Sequence, residues 1–592
     1  MRRTLAAAAL AIAVFVPTAV HAGGIEYTGQ GAQSLARGGA VAARAEDPMV
    51  LAHNPAGLVE LRASHLMINL NLALFDACVQ PFGYYGWGTY IGGVESQIPD
   101  PDGGEALHLP LNQDTGDGLT SPAAAEAYYN DPLDSICLNQ NVVPIPQIAW
   151  TSRLTEDFGV GFGLIFPAAQ PAGKWGGKYG VIRGDDGDLR PSPVRYMMLQ
   201  SSSLGVFPNF GMAYRIDDMI RVGASFEWGI IAVNNYVMAA MIGGTPPAQD
   251  IVAHVKAQDW FIPAVTASVH LVPMDALDLV LAFRYQDDIN ASGDVDLTTG
   301  IFNPNGVPTT TSNLGITSLS QPMPWKLRAG VRYADRFAPR PSGTGDIEAD
   351  LASPEVIHDP LQDERWDIEL DVEYQANGGV DRQVVEYEQG GQLEFKPVGD
   401  GVESSLVDFP HPAVPTTEIE KHWNDQVSVR LGGSLNLLPG KVAVSAGAHY
   451  ENRGINADYM QVDFWPVARF GLHGGLLFRV AKRIDLVLAY AHIFQETIVV
   501  AAPQHELRDQ IFAESLETGS VSKIDKRSGP WLDRSGTTQE VLEEDPVSGA
   551  DGEARVEQNL SRTAADQPAY IINAGRYTSS FDILAAGINV HF

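Results

Sequence analysis

The sequence predicts an all-β fold, a fourteen-stranded antiparallel transmembrane β-barrel. Three observations carry this. Segments of the chain alternate apolar and polar residues at the strand period. The connections between them alternate between short and long. Charges then share the face that would have to be dry in a soluble β-sandwich.

The alternation comes first. In "WKLRAGVRYAD", Leu327, Ala329, Val331 and Tyr333 fall on one face, and Lys326, Arg328, Gly330 and Arg332 on the other. "RWDIELDVEYQ" sets Ile368, Leu370, Val372 and Tyr374 against Asp367, Glu369, Asp371 and Glu373. Fourteen such segments occur, near 64–78, 145–154, 158–167, 204–215, 219–235, 259–272, 276–290, 324–336, 365–376, 425–438, 441–453, 467–480, 483–500 and 580–592. Each suffices for a tilted strand, which needs ~9–11 residues to cross a bilayer.

The connections come second. "TEDF", "IDDM", "PMDA", "LPGK" and "AKRI" are short turns. Long polar stretches lie between them, at 79–144, 168–203, 236–258, 291–323, 377–424 and 501–579. That is the pattern of an outer-membrane barrel, with short turns on the periplasmic side. Residues 337–364 are long for a turn, and 454–466 short for an outer loop.

The charged faces settle which solvent lies outside. A sandwich core cannot hold Lys326, Arg328, Arg332, Glu369, Asp371 and Glu373, but a wet lumen can. The two strands that carry them are expected to be neighbours whose charges form a cross-strand ladder.

Composition agrees. The chain has 592 residues, 45% hydrophobic and 19% charged, and 72 acidic residues against 39 basic give a net charge of −33. Such a chain repels nucleic acid. Residues 1–22 read as a signal peptide, with Arg2 and Arg3, an apolar Leu5–Val16 stretch and small Ala22. Residues 23–63 form a Gly- and Ala-rich segment of little strand period, and residues 64–592 form the barrel with its outer loops. The last strand, "LAAGINVHF", ends on Phe592, like the terminal signal that barrel-assembly machinery reads. Cys78 ends the first strand and Cys137 precedes the second, so a disulfide would staple the base of the first outer loop. The 14 His residues show no HExxH spacing, and no Gly-x-Ser-x-Gly elbow or phosphate loop occurs. No catalytic residue, cofactor or metal site is expected.

The segment before the first strand carries a resemblance. "GQGAQSLARGGAVAARAEDPMVLAHNPAGL" resembles the amino-terminal hatch of the FadL-type long-chain fatty acid transporters, a family that includes toluene and xylene channels. Arg37–Ala40 and the Asn54, Pro55, Ala56, Gly57 element match the family pattern. "VGFGLIFPAAQPAGKWG" is similar to the family's third strand and its exit, and "HYENRGI" to the segment after its eleventh strand. The resemblance implies a hatch inside the lumen with Asn54–Gly57 as its gating turn. Pro55 fixes its own φ and holds Asn54 extended. It also implies a sideways opening at Gly159, Gly161 and Gly163, where three inward glycines leave room beside the strand. Two apolar outer loops would then form a capture groove, with Tyr236, Met238, Met241 and Ile242 on one and Ile301, Phe302, Leu314 and Ile316 on the other. A carboxylate cargo would want an inward cation, and Arg215, Arg284, Lys326, Arg328 and Arg430 face the lumen by phase.

The function expected is passive uptake of a hydrophobic small molecule across the outer membrane of a Gram-negative bacterium. The cargo would be a fatty acid, an aromatic hydrocarbon or a similar lipid. The barrel would be a monomer in contact with membrane lipids. The alternatives are a general porin or structural barrel, an outer membrane lipase-type enzyme, and a secreted soluble adhesin.

Overall fold

The structure is a computed structural model. It describes residues 30–61, 64–81, 133–138, 142–165, 173–183, 189–202, 204–239, 250–301, 309–312, 314–337, 359–397, 404–409, 416–500 and 573–592, besides a few isolated short strands. The signal peptide, Met241, Ile242, Phe302 and most of 501–579 lie outside the described residues.

Fourteen strands close a barrel. They are β1 (Ser64–Pro81), β2 (Val143–Arg153), β3 (Phe158–Ile165), β4 (Leu204–Arg215), β5 (Ile220–Ala239), β6 (Ile251–Met274) and β7 (Leu277–Gln286). They continue as β8 (Lys326–Arg336), β9 (Glu364–Gln375), β10 (Gln426–Leu438), β11 (Val442–Glu451), β12 (Arg469–Ala481), β13 (Ile484–Gln495) and β14 (Gly575–His591). Each pairs antiparallel with its neighbours in sequence. The ring closes where β1 meets β14, from His65 opposite His591 to Pro81 opposite Gly575. All fourteen segments read from the sequence are strands.

The faces show which way the barrel turns. On β9, Ile368, Leu370 and Val372 are 40–46% exposed, while Asp367, Glu369 and Asp371 are buried. Exposed Leu70, Trp150, Phe162, Phe210, Leu281, Val331, Leu431, Leu472, Leu488 and Ile588 continue this apolar outer surface around the barrel. A soluble protein does not expose so large a continuous apolar band. The barrel spans a membrane.

The long outer stretches are corrected. β5 and β6, of 20 and 24 residues, pair far beyond the ~9–11 residues that a strand needs to cross a bilayer, to Ala239 opposite Ile251. Residues 291–323 and 377–424 fold largely into further strands, among them Ile289–Thr299, Leu314–Gln321, Arg382–Tyr387 and Thr417–Glu420. These extend the wall upward because their backbones pair with one another rather than with water.

Residues 30–61 lie inside the barrel. Helix α1 (Ala32–Ala36) rests against β1 and β11 to β14, and a 3-10 turn (Pro55–Val59) rests against β2 to β6. Between them, Arg37 to Arg44 reach β8 to β11. Glycines mark where this segment crosses the wall. A Cβ on Gly447 would lie 2.2 Å from the Arg37 backbone, and one on Gly223 would lie 2.3 Å from the Ala56 nitrogen.

Candidate functional site

The Asn-Pro-Ala turn is held at every residue. Asn54 is fully buried, with φ −156° and ψ 79°, which keeps it out of the helical region that a following proline disfavours but short of the extended geometry expected. Its Nδ2 donates to the Ala42 carbonyl at 2.8 Å and lies 3.4 Å from His270 Nδ1. Pro55 opens the 3-10 turn, where a missing N–H costs nothing. The Ala56 N–H donates to Ser268 Oγ at 2.8 Å. Gly57 leaves little space, since a Cβ there would lie 3.0 Å from Ala45 Cβ.

His270 Nε2 is 3.1 Å from Asp278 Oδ1, and Arg332 Nη1 donates to Asp278 Oδ2 at 3.3 Å. Arg332 Nε donates to Asp367 at 2.9 Å, and Arg37 reaches the same carboxylate. A continuous polar chain therefore runs from the turn to the charges of β8 and β9.

Those two strands are neighbours, with Arg328 opposite Glu373 and Arg332 opposite Glu369. Arg328 Nε donates to Glu373 at 2.6 Å. Lys326 stands opposite Gln375. The expected two-strand ladder is corrected at its lower end. Arg332 turns to Asp367, Asp278 and Glu364, and Glu369 is engaged by the amino-terminal segment instead. Arg37 bonds Asp367 and Glu369, and Arg44 also pairs with Asp367. The Val41 and Ala42 N–H groups donate to Asp371 at 3.0 Å, and the Ala43 N–H donates to Glu369 at 2.6 Å. The lumen carboxylates thus bind the segment as well as the neighbouring strand. Sequence reasoning placed Arg37 in a motif but could not see its partner 330 residues away.

Gly159, Gly161 and Gly163 face the lumen, as their phase requires. The space beside them is filled. A Cβ on Gly159 would lie 2.8 Å from the Leu58 carbonyl oxygen, and those on Gly161 and Gly163 would meet Leu51. β3 is paired on both sides, to β2 from Gly159 to Leu164 and to β4 from Phe158 to Ile165. The expected opening is therefore closed along the described part of β3, and its glycines receive the amino-terminal segment.

The capture groove is also corrected. Met238 and Ile301 are buried in a cluster with Val181, Tyr196, Leu199 and Val252. Leu314 and Ile316 are buried in a second cluster with Val295, Leu319, Val385 and Leu393. Tyr236 stacks on His254 with ring centroids 3.9 Å apart. These side chains form the cores of the raised wall, because paired strands above the membrane need an apolar interior of their own.

The outer half of the lumen holds a different apolar cluster, which sequence reasoning missed. Loops fold inward to bring together Trp175, Met197, Met198, Trp423, Met460 and Trp465 with Phe75 and Tyr577 of the wall. Trp465 is its hub, stacked on Trp175 at 6.3 Å and edge-on to Phe75 and Tyr577. At its lower edge Phe581 packs on this cluster and also on the one that contains Ala32, Leu35 and Ala36. The apolar strings "YMML" (196–199) and "FWP" (464–466) were the available signal, inside stretches read as outer loops. Cys78 and Cys137 are disulfide-bonded beside this cluster, where Val79 pairs with Ile136.

The fold and this interior define a transmembrane barrel with its residues 30–61 packed in the lumen. No protein-family profile matches the chain, and no curated protein matches it in sequence. Among solved structures it resembles a Pseudomonas aeruginosa FadL homologue, at 11% identity over 96% of this chain and 99% of that one, with a TM-score of 0.57. It also resembles the Pseudomonas putida toluene transporter TodX, at 11% identity over 96% and 99%, with a TM-score of 0.51. The shared feature is the fold.

Proposed function

We propose that the protein is an outer-membrane channel for passive inward passage of hydrophobic compounds, gated by the amino-terminal segment. One observation carries this reading: the Trp- and Met-rich cluster in the outer lumen, joined through Phe581 to the apolar side of α1. A water-filled pore has no use for such a cluster. Large aromatic and thioether side chains suit apolar cargo of varied shape. The fold shared with TodX, described as a toluene transporter, supports the same reading.

In this reading residues 30–61 are the hatch, and Asn54 to Gly57 are its fixed point. Cargo enters through the raised wall, collects among Trp175, Trp465 and Met197, and moves on when the hatch shifts. Sideways release at β3 requires Leu51 and Leu58 to withdraw from Gly159, Gly161 and Gly163. Replacing Gly161 with a bulky residue fills that gap and also presses on Leu51 and Leu58, so uptake by the assembled barrel should change, and unchanged uptake would exclude the sideways route.

The test is uptake of labelled toluene and labelled oleyl alcohol by an outer-membrane bacterium lacking its own such channel. The host would express this chain or its Asn54→Ala variant. Entry of either compound, altered in the assembled variant, supports the gated channel. No entry through a correctly inserted barrel refutes it. A general porin would instead conduct ions and sugars freely, which the filled lumen disfavours.

A further inference from the structure

We infer that this lumen admits uncharged hydrophobic molecules and turns away carboxylates, because the cations that border its apolar cluster already hold carboxylates of the protein. The inference rests on the channel reading and narrows its cargo class.

Lys421 and Arg195 are buried cations beside the cluster. Lys421 is 1% exposed, two residues before Trp423, with Nζ 5.7 Å from the Phe464 ring centre. Its Nζ donates to Asp463, and at 3.3 Å to Gln461 Oε1. Arg195 is fully buried between Val194 and Met197 of the cluster. Its Nε donates to Asp250 Oδ2 at 3.0 Å, and the Tyr196 hydroxyl donates to the same carboxylate at 2.9 Å.

The cations lower in the barrel are engaged as well. Arg284 holds Glu227 through two bonds of 3.2 and 2.8 Å. Arg328 and Arg430 share Glu373. Arg469 holds Glu451. Arg215 lies 3.9 Å from both Glu156 and Asp157.

An anionic headgroup entering the cluster would have to give up water and displace Asp463 or Asp250. That would leave a protein carboxylate buried without its cation. A neutral molecule of the same shape meets only the aromatic and thioether faces. The ion pairs therefore act as a charge filter, and Lys421–Asp463 sits where it can set that filter.

The experiment compares a matched pair, labelled oleyl alcohol and labelled oleate, at about pH 8, where the free carboxyl is ionised. Uptake is measured in the same host and normalised to inserted barrel. The expected result is entry of the alcohol, with oleate slower by roughly tenfold or more. Asp463→Asn frees the Lys421 ammonium at the edge of the cluster and should raise oleate entry by about the same factor, with alcohol entry kept. Asp250→Asn beside Arg195 is the second variant, read in the same way. Equal entry of alcohol and oleate in the unaltered protein overturns the filter while leaving the channel reading in place. So does a failure of both variants to admit oleate while the alcohol still passes. If neither compound enters the unaltered, inserted barrel, the channel reading itself falls, and the filter with it.

Discussion

Arg37 Nη2 lies 2.7 Å from Asp367 Oδ2, and neither side chain is exposed to solvent. This bond ties the amino-terminal segment to β9. Removing Arg37 strips its bonds from Asp367, Glu369 and Ser434, but Arg44 and Arg332 still hold Asp367, so the cost should fall below the about 3–5 kcal/mol typical of a buried pair broken from one side. Arg37→Met should therefore loosen the segment while the barrel, whose strands pair without it, still assembles. Planar-bilayer conductance should rise. Adding Asp367→Asn should deepen the loss and not rescue it, because Arg44 and Arg332 rely on the same carboxylate.

The glycines under the segment should behave like the pair. At Gly447 and Gly223 a Cβ would meet backbone atoms of Arg37 and Ala56, which cannot swing aside. Gly447→Ala or Gly223→Ala should unseat the segment and raise conductance. Gly474→Ala is the control, since its Cβ would have only the Ser445 oxygen nearby, at 3.9 Å. A change in conductance in the control would show that lumen glycines act through strand stability instead.

The segment also carries two titrating groups of opposite effect. His53 is half-buried and accepts from Arg328 Nη1 at Nδ1, 3.1 Å away, so it is neutral. Desolvation and the Arg328 charge push its pKa down to about 3. Its contribution to docking is whole above about 6.5 and is lost as pH falls toward 3. Desolvation pushes Asp47 up to about 7, against the Met49 N–H that donates to it at 2.8 Å. Its contribution is whole below about 3.8 and is lost as pH rises through 7. Between roughly pH 4 and 6.5 the two oppose each other. Protease protection of the segment should change little with pH in the unaltered protein. It should strengthen on acidification in His53→Gln and weaken in Asp47→Asn. Parallel curves for the two variants would exclude this balance.

The Cys78–Cys137 disulfide closes a sequence separation of 59 residues. On the chain-entropy account, its removal costs about 4 kcal/mol. The paired Cys78→Ser, Cys137→Ser variant should unfold at lower urea than the oxidised protein and should match the reduced one. A reduced protein with an unchanged midpoint would show that the loop base is fixed by strand pairing alone.

The strands were legible because a barrel wall has one apolar and one polar face, so a two-residue period survives in segments as plain as "RWDIELDVEYQ". The interior was less so. The phase of Gly159, Gly161 and Gly163 could be read, but Leu51 and Leu58, which fill the space beside them, lie far earlier in the chain on a segment with no period. Asp367 was read as lining a wet lumen, while its partners Arg37, Arg44 and Arg332 come from two distant stretches. Met238 and Leu314 misled for another reason. Both sit beyond the membrane, where an apolar residue can face either a ligand or the next strand. Composition is the same in both cases, and only pairing distinguishes them. Trp465 was hidden because its loop turns into the barrel.

The meeting of β1 and β14 along seventeen paired positions has a bearing on how the molecule comes into being. Residues 30–61 precede β1, yet they touch strands all round the circle, and β14 is made last. Once the first and last strands have zipped, a segment anchored to β9 from within has no side entrance. It then enters through an open end of the barrel or is gathered before the ring shuts. A variant that weakens Arg37 is then expected to yield closed barrels with residues 30–61 left outside, a fault that the closed wall would not let them repair from the side.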